Sequence, residues 1–326
     1  MKKNNGAVWA LCGGIAFSFV FTYVIWLLGP RLESIELLPD QGATWYYWKL
    51  PNPTFWSQFS AWSLYTLHQV SMWWLIWYAQ KQKPGYTTGL HKFNLWALGI
   101  NAFFIILHLV QTHIWYDGIA QNVHVFSSQY SVILLLVFVM IIENQRRGMF
   151  FGKKAILPQE GVSFIRKYHG YYFIWALVYT FWFHPTVATE GHLFGFIYMF
   201  LLMLQGSLFF TRVHLNRWWT FLQEALVVAH GTMVAIQQAN GMWPMFLFGF
   251  LAIFIVTQMH GLGFSKWTRR TMIVLYVAGV VLAYSGQVSN VVQITFIPMI
   301  DYLLVFVLTF LIFGVLKLIK KVRPSI

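Results

Sequence analysis

Histidine is the residue type with the most chemistry to offer in this sequence, which carries eleven of them, and four set a pattern. His169 and His184 lie 15 positions apart, and His214 and His230 lie 16 apart. At about 1.5 Å per residue, a helix carries its second imidazole roughly 22–24 Å from the first. Each segment then presents one ring near each face of a membrane. Imidazoles at matched heights on facing helices can clamp an iron macrocycle from both sides. The expectation is axial ligation of two stacked haem b groups, by His169 with His214 and by His184 with His230. His91 and His108 repeat the layout on another segment and stand in if either pairing fails. The same four principal histidines are the ligand candidates for a single haem or another metal centre. Ala176, Ala229, Gly170 and Gly231 leave room for a macrocycle beside them. Helical rotation complicates this picture: an offset of 15 turns the second ring about 60° from the first, and one of 16 about 160°. His214 can equally fall in the loop that precedes its helix.

Other polar residues suit supporting roles. Asn94, Asn101 and His108 recur at seven-residue steps, with His91 three before and Gln111 three after, so all five share one helical stripe that lipid should not see. Thr220, Gln223, Val227, His230, Val234 and Gln237 form a second seam at spacings of three and four. Asn101, Gln223 and Glu224 are placed to orient imidazoles or conduct protons. A structural role is the alternative for each, because Asn, Gln and His commonly hydrogen-bond between membrane helices.

The segments that hold these residues are strongly apolar. Of the 326 residues, 58% are hydrophobic and 10% are charged, which points to an all-α integral membrane protein. About ten transmembrane helices are expected, over 7–29, 58–80, 93–116, 125–143, 170–187, 193–211, 218–238, 243–262, 271–287 and 298–319. Between them no stretch is long enough for a separate soluble domain, so a single transmembrane helical domain over 1–326 is expected. With the N-terminus cytoplasmic, 20 of the 22 Lys and Arg fall on the inner side, Lys2, Lys3 and Arg323 among them, and only Arg31 and Lys49 fall outside. Glu33, Glu36, Asp40, Asp117, Glu190 and Asp301 lie at or near the outer side. Both termini are therefore expected to be cytoplasmic, in a plasma membrane of bacterial type. An anionic inner leaflet accounts for the net charge of +13, so membrane lipid is an expected partner and nucleic acid is not. Most of the 17 tryptophans suit interfacial belts, as in "ATWYYWKLPNPTFW" (43–56), while "SMWWLIWYAQ" (71–80) is denser and suits a wall for a planar cofactor or a lipid. The single Cys12 excludes intrachain disulfides, thiolate zinc sites and CxxCH haem attachment.

The histidine layout of the fifth and seventh expected spans resembles that of membrane b-type cytochromes and ferric-reductase-like helical domains. Nothing else in the chain matches a signature of those families. No flavin or nicotinamide domain is appended, so the resemblance implies electrons from a separate reductase or from a quinol. Two other classes compete. An intramembrane lipid-modifying enzyme would use His230 as a base beside Gln223 and Glu224, or His184, Glu190 and His192 of "HPTVATEGH". "HLVQTH" (108–113) has the HxxxxH form of a di-iron desaturase box, but no HxxHH follows it. An ion-coupled transporter would use a buried carboxylate, with Glu224 the first to test and Glu143 and Asp301 nearer the ends of their spans. No internal repeat supports an inverted pair of five-helix halves.

Overall fold

The computed structural model describes residues 5–39, 48–238 and 241–322. Lys2, Lys3, Asp40 and Arg323 of the charge asymmetry, and residues 43–47 of the aromatic segment, lie outside the described residues. Helix accounts for 78% of the described residues, with no strand among them. The helices are α1 (Gly6–Leu28), α2 (Phe55–Gln82), α3 (Lys92–Trp115), α4 (Val125–Arg147), α5 (Gln159–Phe183), α6 (Glu190–Ser207), α7 (Arg217–Gln237), α8 (Trp243–Val256), α9 (Lys266–Tyr284) and α10 (Phe296–Val322). Each expected span falls on one of them.

Among the described residues, six stretches are long and apolar enough to cross a membrane: α1 with the 3₁₀ turn after it, α3, α4, α7, α8 with the 3₁₀ turn after it, and α10 with the one before it. They mark an integral membrane protein of the all-helical class.

Local chemistry explains where the helices start. Thr54, Thr189 and Ser265 cap α2, α6 and α9 by accepting from the backbone N–H three residues on. Asn216 does the same for α7, its Oδ1 accepting from Trp218 N at 2.9 Å and Trp219 N at 3.2 Å. That cap starts α7 at Arg217 and leaves His214 in the preceding turn. The opposite happens at α5, which begins at Gln159 rather than at residue 170. Backbone hydrogen bonding continues through Arg166 and Lys167, so His169 lies well inside the helix instead of at its end.

The chain packs as two compact units, one of Met1–Val132 with Gly170–Trp219 and one of Ile133–His169 with Thr220–Ile326. In the first, α1 and α3 pack on α6 and α2 packs on α3. Ala61, Ile119, Ala120, Tyr179 and Phe183 form a buried cluster there. In the second, α8 packs against α9 and α10, and Val137, Met140, Ile141, Ile165, Ile253 and Val305 make the apolar core. Tight backbone approaches are met by glycine. A Cβ on Gly161 would stand 2.6 Å from the Thr309 carbonyl oxygen, so α5 can approach the α10 backbone there because residue 161 has no side chain.

Candidate functional site

The first unit contains a buried polar column built on the α3 stripe. Asn94, Asn101, His108 and Gln111 are all buried, as the seven-residue spacing predicts. Asn94 accepts from His91 N through Oδ1 at 2.9 Å and donates through Nδ2 to the carbonyls of Ser207 and Phe209 at 2.8 and 2.9 Å. It ties the start of α3 to the end of α6. His91 is half-buried at the N-cap of α3, with Nε2 at 3.1 Å from the Gly85 carbonyl.

Two turns further along, the hydrogen bonds run in a single direction. Trp182 Nε1 donates to His68 Nδ1 at 3.2 Å, which leaves the ring proton on Nε2. That N–H donates to Asn101 Oδ1 at 2.8 Å. Asn101 Nδ2 donates to Ser207 Oγ at 2.8 Å, and Ser207 Oγ donates to the Met203 carbonyl at 2.8 Å. Every polar atom of His68 and Asn101 is thereby used in a site without water access, His68 being fully buried. His68 also stacks on Phe104, with ring centroids 4.4 Å apart.

His108 lies two turns beyond Asn101 on α3. Its Nε2 donates to the His184 carbonyl at 2.8 Å, and its Nδ1 faces Gln111 Oε1 at 3.1 Å. Gln111 Nε2 in turn donates to Ser60 Oγ and to the Asp117 carbonyl, which fixes the orientation of that amide. One ring proton can serve only one of these two oxygens, so with Nε2 donating to the His184 carbonyl the Nδ1 lone pair faces Gln111 Oε1.

The column ends at Asp117, just past α3. This carboxyl is buried, with Oδ1 accepting from Gly118 N at 2.8 Å and Oδ2 lacking a partner among the described residues. Burial raises it to about 6, against the opposing pull of the Gly118 N–H and the Ser57 hydroxyl. A carboxyl raised in the folded state favours folding below its unfolded value, near 4, and that contribution is lost as pH climbs through 6. Melting of the wild type should therefore fall between about pH 4 and pH 6, by about 2–3 kcal/mol at the two-unit shift. Asp117→Asn keeps the oxygen for Gly118 and should be the more stable protein at neutral pH, with the slope in that window removed. Identical pH–melting curves for the two proteins would contradict the assignment.

Beyond α5, the segment 184–192 gathers two rings that the sequence marks for acid–base or metal work. His184 and His192 have centroids 4.9 Å apart, and Trp48 meets the His192 ring edge-on at 4.3 Å. Thr189 Oγ1 holds His192 Nδ1 at 2.7 Å.

The second unit has a different centre. Arg147 is the last residue of α4, and Gly148 follows it in the left-handed region with φ +78°. A Cβ at Gly148 would meet the Gly152 carbonyl group at 2.5 Å, so this turn requires glycine. The loop that follows is held down by three contacts. Asn144 bonds both the N–H and the carbonyl of Ala155 at 2.9 Å, Phe151 N donates to the Val256 carbonyl at 2.7 Å, and Thr257 Oγ1 donates to the Met149 carbonyl at 2.5 Å. Thr257 also meets the Tyr302 hydroxyl at 2.7 Å, and α8 ends at that point.

With the loop pinned, the Arg147 side chain turns into the protein instead of toward the rim. Its Nη1 donates to Glu224 Oε1 at 2.9 Å and Oε2 at 2.7 Å. The side chains of Arg147 and Glu224 are 3% and 5% exposed. Arg147 Nε and Nη2 are buried and have no partner among the described residues, and neither does the amide of Gln223. Arg146, one residue earlier, pairs with Glu143 at the edge of the site.

The six candidate cofactor histidines divide as follows. His169 and His230 belong to the second unit and His91, His108, His184 and His214 to the first, so each expected axial pair draws one member from each unit. His169 Nδ1 bonds the Arg166 carbonyl at 2.8 Å, and His214 Nδ1 bonds the Gln205 carbonyl at 2.9 Å. A backbone carbonyl on Nδ1 is the usual orienting partner of a metal-ligating imidazole. His108 has an oxygen within hydrogen-bonding distance of each ring nitrogen, which leaves neither nitrogen open to an iron. His230 is half-buried on α7, whereas Gln237 at the end of the same seam is exposed. Among the described residues, no three His, Cys, Asp or Glu side chains gather closely enough to hold a metal ion.

The burial of Arg147 has no signal in the sequence, where it is simply one of the basic residues on the expected inner side. His68 and Trp182 also enter the site without a spacing signal. Comparison with protein-family models, curated proteins and solved structures returned no match.

Proposed function

We propose that this protein is an ion-coupled membrane transporter, with the Arg147–Glu224 pair as the coupling site. The observation that carries the reading is a guanidinium and a carboxylate facing each other, almost fully buried, in a helical membrane protein. Ionisable groups are expensive in such surroundings, and those present usually mark substrate, ion or proton pathways. In this reading the chain crosses the membrane ten times with both termini in the cytoplasm, as the distribution of Lys and Arg favours. Glu224 carries the coupling proton and Arg147 holds its charge when it is deprotonated. The test is charge movement in proteoliposomes after a pH jump, with candidate solutes on one side. Currents in the wild type that are absent in Glu224→Gln support the reading. Equal currents in both proteins overturn it.

A second reading, electron transfer through haem b with a quinol or a separate reductase as partner, is supported by the Nδ1–carbonyl bonds of His169 and His214. Haem would supply one-electron chemistry, and these bonds would orient the imidazoles that hold it. Protein expressed with haem and reduced with dithionite should then show sharp α and β bands that weaken in His169→Ala or His214→Ala. A colourless protein overturns this reading.

A further inference from the structure

The Arg147 guanidinium offers more than Glu224 uses. One nitrogen, Nη1, serves both carboxylate oxygens. Left over is the edge formed by Nε and Nη2, whose parallel N–H bonds match the two oxygens of a carboxylate or phosphate. Those donors are buried and unpartnered among the described residues. Leaving a buried donor unmade is costly, and more so on a charged group. A second, independent observation lies at the preceding position of α7. Gln223 is 5% exposed, and both atoms of its amide are buried and unpartnered as well. Two helices of this unit, α4 and α7, thus each carry a buried unpartnered donor group, one on Arg147 and one on the residue that precedes its partner Glu224.

We propose that Arg147 binds an anionic substrate, taking a carboxylate or phosphate on its Nε/Nη2 edge, with the Gln223 amide as a neutral donor. This rests on the transporter reading and names the substrate class for it. Charge balance then ties the anion to a proton. The buried pair is neutral, and an incoming monovalent anion would leave the site with an excess negative charge. A proton on Glu224 restores neutrality, and the carboxyl then lets Arg147 turn to the substrate. The other charges acting on Glu224 are Glu143 and Arg146, which already pair with each other. α8, which packs on α7 through Phe254 on Phe221, carries no titratable side chain. On α10, the Tyr302 hydroxyl lies within electrostatic reach of Arg147 and of Asp301, but it is engaged by Thr257. The proton is assigned to Glu224, the carboxylate bonded to Arg147, with one proton taken up for each monovalent anion bound.

The experiment is calorimetric titration of the full-length protein in phosphatidylcholine nanodiscs with lactate and with inorganic phosphate, repeated in buffers of different ionisation enthalpy. A parallel arm compares melting in nanodiscs with and without phosphatidic acid. Saturable binding of either soluble anion identifies a solute site, and stabilisation by phosphatidic acid alone identifies a lipid headgroup. The expected result is binding by one arm that weakens about tenfold or more in Arg147→Lys and in Gln223→Leu, the loss of one charge-assisted hydrogen bond or its neutral counterpart. Lysine keeps the charge and the partner for Glu224 but lacks the fork, so Arg147→Lys tests the edge and not the fold. No binding in either arm, or binding unchanged in both variants, overturns the proposal. Proton currents that depend on Glu224, without anion binding, would remove the substrate class and leave the transporter reading intact. Anion binding without such currents would do the reverse.

Discussion

Arg147→Met is expected to lower the stability of the folded protein by about 3–5 kcal/mol, because it leaves the Glu224 carboxylate buried without its counter-charge. The size follows from burial: with side chains 3% and 5% exposed, neither partner can recover hydration when the other is lost. Glu224→Leu should be comparably damaging, since it strands the guanidinium. Replacing both, as Arg147→Met with Glu224→Leu, should return stability close to that of the wild type, because desolvation and attraction largely cancel in a buried pair. Thermal melting of the four proteins in one detergent closes the cycle. A coupling energy near zero would mean that the pair is hydrated and unimportant to the fold. The same double variant separates stability from function: it should fold, yet neither bind anions nor carry proton current.

The second large effect is expected at Asn101. Its amide spends Oδ1 on His68 and Nδ2 on Ser207, both at 2.8 Å and both in the interior of the first unit. Asn101→Ala strands the His68 Nε2–H, leaves Ser207 Oγ without its donor and opens a small void. Together these should cost about 2–4 kcal/mol, the sum of an unmade buried hydrogen bond and a modest cavity. Asn101→Leu fills the void but still strands the imidazole, so it should recover only part of the loss. Trp182→Phe attacks the same chain from the other side by removing the donor to His68 Nδ1. Double variants of Asn101 and Trp182 should be less than additive, since both act through one imidazole. Full additivity in melting experiments would show that the two hydrogen bonds work independently.

These two sites differ in how far they could be read from the chain. The α3 column is nearly explicit in the sequence, because a seven-residue step returns Asn94, Asn101 and His108 to one side of any helix, whatever packs against it. Lipid cannot satisfy those groups, so the stripe has to face protein, and it does. Which atoms meet them is another matter. Ser207 is 106 positions from Asn101 and Trp182 is 114 from His68, so no spacing rule connects them.

Arg147 shows the opposite case. In the sequence, the two arginines before Gly148 are simply two of the basic residues on the expected inner side, with nothing to separate one from the other. The loop they precede is folded back by Asn144, Phe151 and Thr257, and that contact set turns one arginine of the two inward while Arg146 stays at the edge. His169 and His214 moved for reasons of the same local kind. Hydrogen bonding carries α5 back to Gln159 through charged residues that hydropathy excludes, and the Asn216 cap starts α7 after His214.

Composition and periodicity by themselves determined the helical class, the ten helical segments and the polar face of α3, because burial in a low-dielectric medium acts on every residue in the same way wherever its partners lie. Only the tertiary structure decided that Glu224 meets Arg147, 77 positions away. It likewise decided that one edge of that guanidinium remains unpartnered among the described residues, since the pairing of buried charges depends on the geometry of a loop and not on the order of residues in the chain.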